Sequence, residues 1–185
     1  MTTRAIEART PRHLLARLLE APDLAQVVQS LEPRTLHQLI RTCGLEDCAE
    51  VVAQATAEQL MHVFDHDLWR SETAGQEDQF DADRFGVWLE VLVEAGAAIA
   101  AQKLIEMDLD FLTAAISQHM FALGPASTIS GRDVDDWGAD LEIGGYRIIA
   151  RRPESWDALL AVMVSLDADH PDFFQGLMKI GRAHV

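Results

Sequence analysis

The sequence predicts a mainly α-helical fold: short helix-pair repeats forming a compact right-handed superhelix or bundle, with one small β-hairpin near residues 141–149. Three observations predict it. The block Pro22 to Arg41 recurs without a gap as Glu46 to Asp65, at a period of 24. Periods of this length mark stacked supersecondary units, none of which can bury its apolar face alone. Apolar residues at i, i+3, i+4 spacing dominate the first 120 positions. Gly144-Gly145 then separates two runs of β-forming residues, a hairpin signal.

Residues 1–10 are read as a flexible N-terminus and 11–123 as the helical-repeat domain. Pro11 suits a first helical turn, and Leu14, Leu15, Leu18 and Leu19 then share one face. Pro22-Asp23 opens the next helix, and Glu32-Pro33 separates it from a third, which Gly44 ends. The second copy keeps Asp23/Asp47, Ala25/Ala49, Val27/Val51, Val28/Val52 and Leu36/Leu60. Thr56 with Gln59 forms a capping box. Residues 70–79 are a polar loop. Phe80 to Gly96 follows as the longest helix, capped by Asp81 or Asp83, with Phe85, Trp88, Leu89 and Leu92 as its stripe. A faded third copy, Ala100 to Ser117, retains Ala101, Leu112 and Ile116.

The pattern breaks at Gly124-Pro125, and 124–140 is an acidic loop. Residues 141–179 carry the hairpin and two helices, the first starting at Pro153-Glu-Ser-Trp-Asp with Leu159, Leu160, Val162, Met163 and Leu166 inward. Residues 180–185 (IGRAHV) back-translate to a widely used sequencing-adapter stretch. They are therefore set aside as an artefact, with the natural chain expected to continue beyond Lys179.

The formal net charge of −15, with scattered Lys and Arg, argues against a nucleic-acid partner. No apolar run approaches the roughly 20 residues that span a bilayer. Cys43 and Cys48 cannot form a disulfide framework, so a cytoplasmic location is expected.

Four places invite a chemical reading. His62 and His66 stand at i, i+4 beside Asp65 and Asp67, which makes Asp65, His66 and Asp67 candidate metal ligands without an evident distant partner. Asp133, Asp135 and Asp136 gather around Trp137 and offer oxygen ligands without EF-hand spacing. A divalent cation is thus an alternative to having no cofactor. Cys48 takes the place of Leu24 in the repeat and reads as a buried apolar residue, with Cys43 unexplained. Lastly, Tyr146, Arg147, Arg151 and Arg152 precede Ser155, which reads as a helix cap and not as a nucleophile. Trp69, Trp137, Tyr146, Arg147 and Trp156 are the candidate interaction residues.

Several segments, among them Asp67-Leu-Trp-Arg70, Phe80-Asp-Ala-Asp-Arg-Phe85, Glu154-Ser-Trp-Asp157 and His170-Pro-Asp-Phe-Phe174, resemble a bacterial family of unknown function. The resemblance implies a mostly helical protein and carries no catalytic residue. The repeat region is also similar to the N-terminal superhelical domain of MgtE-type magnesium transporters, a likeness of pattern that implies fold alone. The leading expectation is a non-enzymatic scaffold that binds a protein partner or itself. The alternatives are a divalent-cation-responsive domain, or part of an enzyme completed elsewhere in the chain.

Overall fold

A computed structural model of the chain describes residues 11–70, 79–124 and 140–181, which are mainly helical. The chain divides into two compact units, Met1–Gln79 and Phe80–Val185. The division falls within the span read above as a single repeat domain.

The first unit contains α1 (Pro11–Leu19), α2 (Leu24–Gln29), α3 (Pro33–Cys43), a 3-10 turn (Glu46–Cys48), α4 (Ala49–Gln54), α5 (Ala57–Asp67) and β1 (Trp69–Arg70). The repeat is visible in element lengths: each copy is a helix of 6 residues followed by one of 11. Equivalent helices pack on each other, α2 against α4 and α3 against α5. The residues shared by the copies make the contact, since Val28, Val52, Leu36 and Leu60 are fully buried. Helix α1 packs on α3 through Leu15 and Leu18. Leu14 and Leu19, expected on the same buried face, are instead 37% and 40% exposed. The face of α1 that packs is narrow, so Leu15 and Leu18 fill it and Leu14 and Leu19 fall outside it.

Helix ends are closed by side chains. Asp23 accepts from the Gln26 amide at 3.0 Å, and Asp81 from that of Arg84 at 2.9 Å. The Thr56–Gln59 capping box forms in both directions, at 3.1 and 2.9 Å. Gln59 does more than the sequence suggests. Its Nε2 also donates to the carbonyls of Val28 (2.9 Å) and Leu31 (2.8 Å), closing the end of α2 in the preceding repeat.

The second unit follows the short strand β2 (Gln79–Phe80). Its helices are α6 (Ala82–Glu94), α7 (Ala97–Ile105), α8 (Leu109–Ser117), α9 (Trp156–Asp169) and α10 (Pro171–Gly181). Helix α9 packs on α6, α7 and α10, and α10 packs on α8. The predicted stripes are in the core: Phe85, Trp88, Leu89, Leu92, Leu159, Val162, Met163 and Leu166 are buried, and Leu160 is half-buried. The third repeat copy keeps its buried Ala101, Leu112 and Ile116 but not the helix lengths, because α7 and α8 have 9 residues each.

The expected hairpin is present as β4 (Asp140–Ile143) and β5 (Tyr146–Ala150). A further strand, β3 (Met120–Leu123), makes an antiparallel sheet of order β3-β5-β4. Met120 pairs with Ala150 and Leu123 with Arg147. The sequence reading missed β3 because a four-residue apolar run just past a helix has no signature of its own, and only pairing with β5 makes it a strand. The hairpin turn is packed. Gly144 (φ 55°) lies so close to α9 and α10 that a Cβ there would meet Asp167 Oδ1 at 2.5 Å and Phe174 at 2.6 Å. Gln175 Nε2 donates to the Gly144 carbonyl, and the Tyr146 hydroxyl donates to Gln175 Oε1.

Gln59→Ala removes the side-chain half of the capping box and leaves the Leu31 carbonyl without its Gln59 partner, while the Val28 carbonyl keeps the Leu31 amide, so it should cost about 1–3 kcal/mol of unfolding free energy in urea titration. Gln29→Ala, which loses one exposed bond to the Gln54 carbonyl, should cost less than about 0.5 kcal/mol. Equal costs would remove Gln59 from its role between the repeats.

Candidate functional site

In the second unit the polar groups of interest gather where α8 ends and β5 runs out. The last carbonyls of α8 have no partner within the helix. The dipeptide Arg151-Arg152 supplies partners. Arg151 Nη1 donates to the Ser117 carbonyl, and Arg152 Nε donates to that of Gln118 at 3.2 Å. The two backbone amides donate to the His119 carbonyl at 2.8 and 3.3 Å. The Arg151 guanidinium also stacks 3.9 Å over the Phe121 ring, and Arg152 pairs with exposed Asp83. Arg151 and Arg152 thus close the end of α8.

Beneath them, His119 is fully buried and its Nδ1 lies 2.8 Å from Ser155 Oγ. Ser155 occupies the N-cap position of α9 but makes no side-chain cap bond there; the expected cap is replaced by the bond to His119. Gly86 permits this approach, because a Cβ on it would stand 3.0 Å from Ser155 Cβ and 3.3 Å from the His119 ring. Burial first, then the nearby Arg152 charge, pushes the His119 pKa down to about 4. The Ala82 backbone works weakly against that shift. It is too poorly placed to satisfy Nε2, which has no hydrogen-bond partner among the described residues.

A serine–histidine pair invites a catalytic reading, but nucleophilic chemistry needs an accessible hydroxyl. Ser155 is 4% exposed and His119 is 0% exposed. In this conformation the pair is buried and joins α9 to the end of α8.

Alongside lies a groove of about 560 Å³. Its walls are α8 (Thr113, Ile116, Ser117), β3 (Met120, Phe121, Ala122), Arg151, and α10 (Leu177, Met178). Three consecutive β3 residues line it, so the strand borders the groove by its edge and not by one face only.

In the first unit, α3 and α5 bring three imidazoles together. The rings of His37 and His66 are stacked with centres 5.4 Å apart, and His62 meets His66 edge-on at 5.0 Å. His37 is the distant partner that the i, i+4 pair lacked in the sequence. It was missed because it lies on the neighbouring repeat's helix; at the 24-residue register it aligns with Met61. Burial, then the charge of His66, holds the His37 pKa below the usual histidine range, with Asp67 opposing. As the rings stand, no three His, Cys, Asp or Glu side chains among the described residues are placed to hold a metal ion.

With these sites described, comparison with known proteins is informative about kinship. A family model, the family of unknown function DUF6178, matches residues 2–184. The chain belongs to that family. No curated protein and no solved structure matches it.

Membership of DUF6178 transfers no residue roles, so the candidates stand on geometry alone. In this DUF6178 chain Trp69 is exposed on β1, while Tyr146 and Trp156 are buried and serve packing. Arg147 pairs with Asp140 across the hairpin at 2.6 Å. Asp65 is exposed on α5. Asp133, Asp135, Asp136 and Trp137 lie outside the described residues. Cys43 and Cys48 are both free and buried, and burial, reinforced by the neighbouring Cys43, raises the Cys48 thiol to about 12. Cys43 is thereby explained as a packing neighbour of Cys48.

His119 also makes an acid-stability prediction. Its folded pKa lies below the unfolded 6.5, so the unfolded chain binds the extra proton first. The stability from the neutral buried ring is complete above about pH 6.5 and is lost as pH falls towards 4. The loss is about 3 kcal/mol over that window. Urea titrations at pH 7, 5.5 and 4 should display this slope, and His119→Gln should flatten it.

Proposed function

We propose that this chain is a non-enzymatic interaction module whose second unit binds an extended segment of a partner protein, by adding a strand to β3. One observation carries the reading: the groove opens along a sheet edge. In the order β3-β5-β4, β3 has a strand on one side only among the described residues. Alternate backbone N–H and C=O groups of such a strand point away from its partner, the geometry that strand addition uses. Strand addition of this kind draws affinity from the backbone and specificity from flanking side-chain pockets. Thr113, Ile116, Leu177 and Met178 provide apolar and small polar walls.

Arg151 supplies the charge selection. One of its donors is engaged with the Ser117 carbonyl and its face lies on Phe121, leaving further N–H groups for a carboxylate. The chain as a whole carries −15, so a cation in the groove favours a segment with one acidic group over a densely acidic one.

Selection of random extended peptides on the purified chain should enrich sequences with alternating apolar residues and a single Asp, Glu or C-terminal carboxylate. Arg151→Glu should weaken their binding by about tenfold or more, a loss of at least 1.4 kcal/mol. Amide shifts on titration should centre on residues 113–123. Peptides that bind elsewhere, or whose affinity ignores Arg151→Glu, would overturn the proposal.

A further inference from the structure

The histidine cluster of the first unit is separate from that groove and has chemistry of its own. We infer that His37, His62 and His66 form a binding site for a borderline transition-metal ion of the Zn²⁺ or Ni²⁺ class. The ligands come from two rigid elements. His62 and His66 lie one turn apart on α5, and His37 comes from α3, which packs against α5.

The spacing suits coordination. Metal–nitrogen bonds of about 2.0–2.1 Å put the centres of two imidazoles sharing a tetrahedral ion about 5 Å apart. The ring centres here stand 5.0 and 5.4 Å apart. What the apo arrangement lacks is direction: His37 and His66 stack at 30° and His62 crosses His66 at 88°, so their nitrogens do not converge. Coordination therefore requires the rings to turn about χ1 and χ2.

A further observation favours a ligand. His62 Nε2 is buried without a hydrogen-bond partner among the described residues, a cost that coordination would relieve. Among the neighbouring charges that act on His37, Arg41 opposes a cation and Asp67 favours one. An imidazole-rich set prefers Zn²⁺, Ni²⁺ or Cu²⁺ to the oxygen-seeking Mg²⁺ and Ca²⁺.

Titration of the tag-free chain with Zn²⁺, Ni²⁺ and Mg²⁺, followed by calorimetry and native mass spectrometry, tests this. One Zn²⁺ or Ni²⁺ per chain is expected, with no Mg²⁺ heat. His37→Gln and His62→Gln should each weaken binding by more than about tenfold, since even an outer-shell partner is worth that much. Circular dichroism checks that both variants fold. The Co²⁺ absorption spectrum separates imidazole ligation from capture by Cys43 and Cys48, because only the latter gives thiolate charge transfer. Failure to bind Zn²⁺ and Ni²⁺, a thiolate band, or binding indifferent to His37→Gln in a folded variant would each overturn the inference.

Discussion

Closing helix ends is the constraint on which both units depend. Every helix leaves four amides and four carbonyls without internal partners. In the first unit, helices of 6 and 11 residues make such ends frequent, and close packing then shuts water out of several of them. Gln59 answers this by capping its own helix while holding the end of α2. Arg151 and Arg152 answer it in the second unit by gathering three successive carbonyls, Ser117 to His119. A buried amide or carbonyl left unmet would cost more than most single apolar contacts return.

This use of the arginines links architecture to recognition. Because Arg151 is anchored on a helix end and stacked on Phe121, its guanidinium is held in one place before any partner arrives. Ordering a long cationic side chain normally opposes binding, and here folding has already borne that entropy. Arg151, which helps to close the end of α8, therefore also shapes the groove beside it.

Much of the fold was legible because its signals are local. The period of 24 foretold equal helix pairs, Thr56 and Gln59 foretold a capping box, and Gly144-Gly145 foretold a hairpin. What escaped was decided by distant partners. Met120–Leu123 becomes a strand only beside β5, Ser155 turns from capping to His119 only because Gly86 lets them meet, and Leu14 and Leu19 face outward because α1 is packed narrowly. The candidate sites follow the same division. His62 and His66 announce themselves by spacing, whereas His37 joins them only through lateral packing of repeats. The groove has no signature in sequence at all, since its walls come from three separate stretches.

The tip of the hairpin bears on how this protein can be handled and how it can diversify. Two-residue turns between strands are usually where chains accept loops, epitopes and fluorescent labels. Here the tip is a keystone: Gly144 fits against Asp167 and Phe174 with no room for a methyl group, and Gln175 grips its carbonyl. Lengthening that turn would lift the hairpin from α9 and α10 and disturb the third strand with it. Tags and inserted domains belong at other exposed turns, and natural length variation should be scarce at this one.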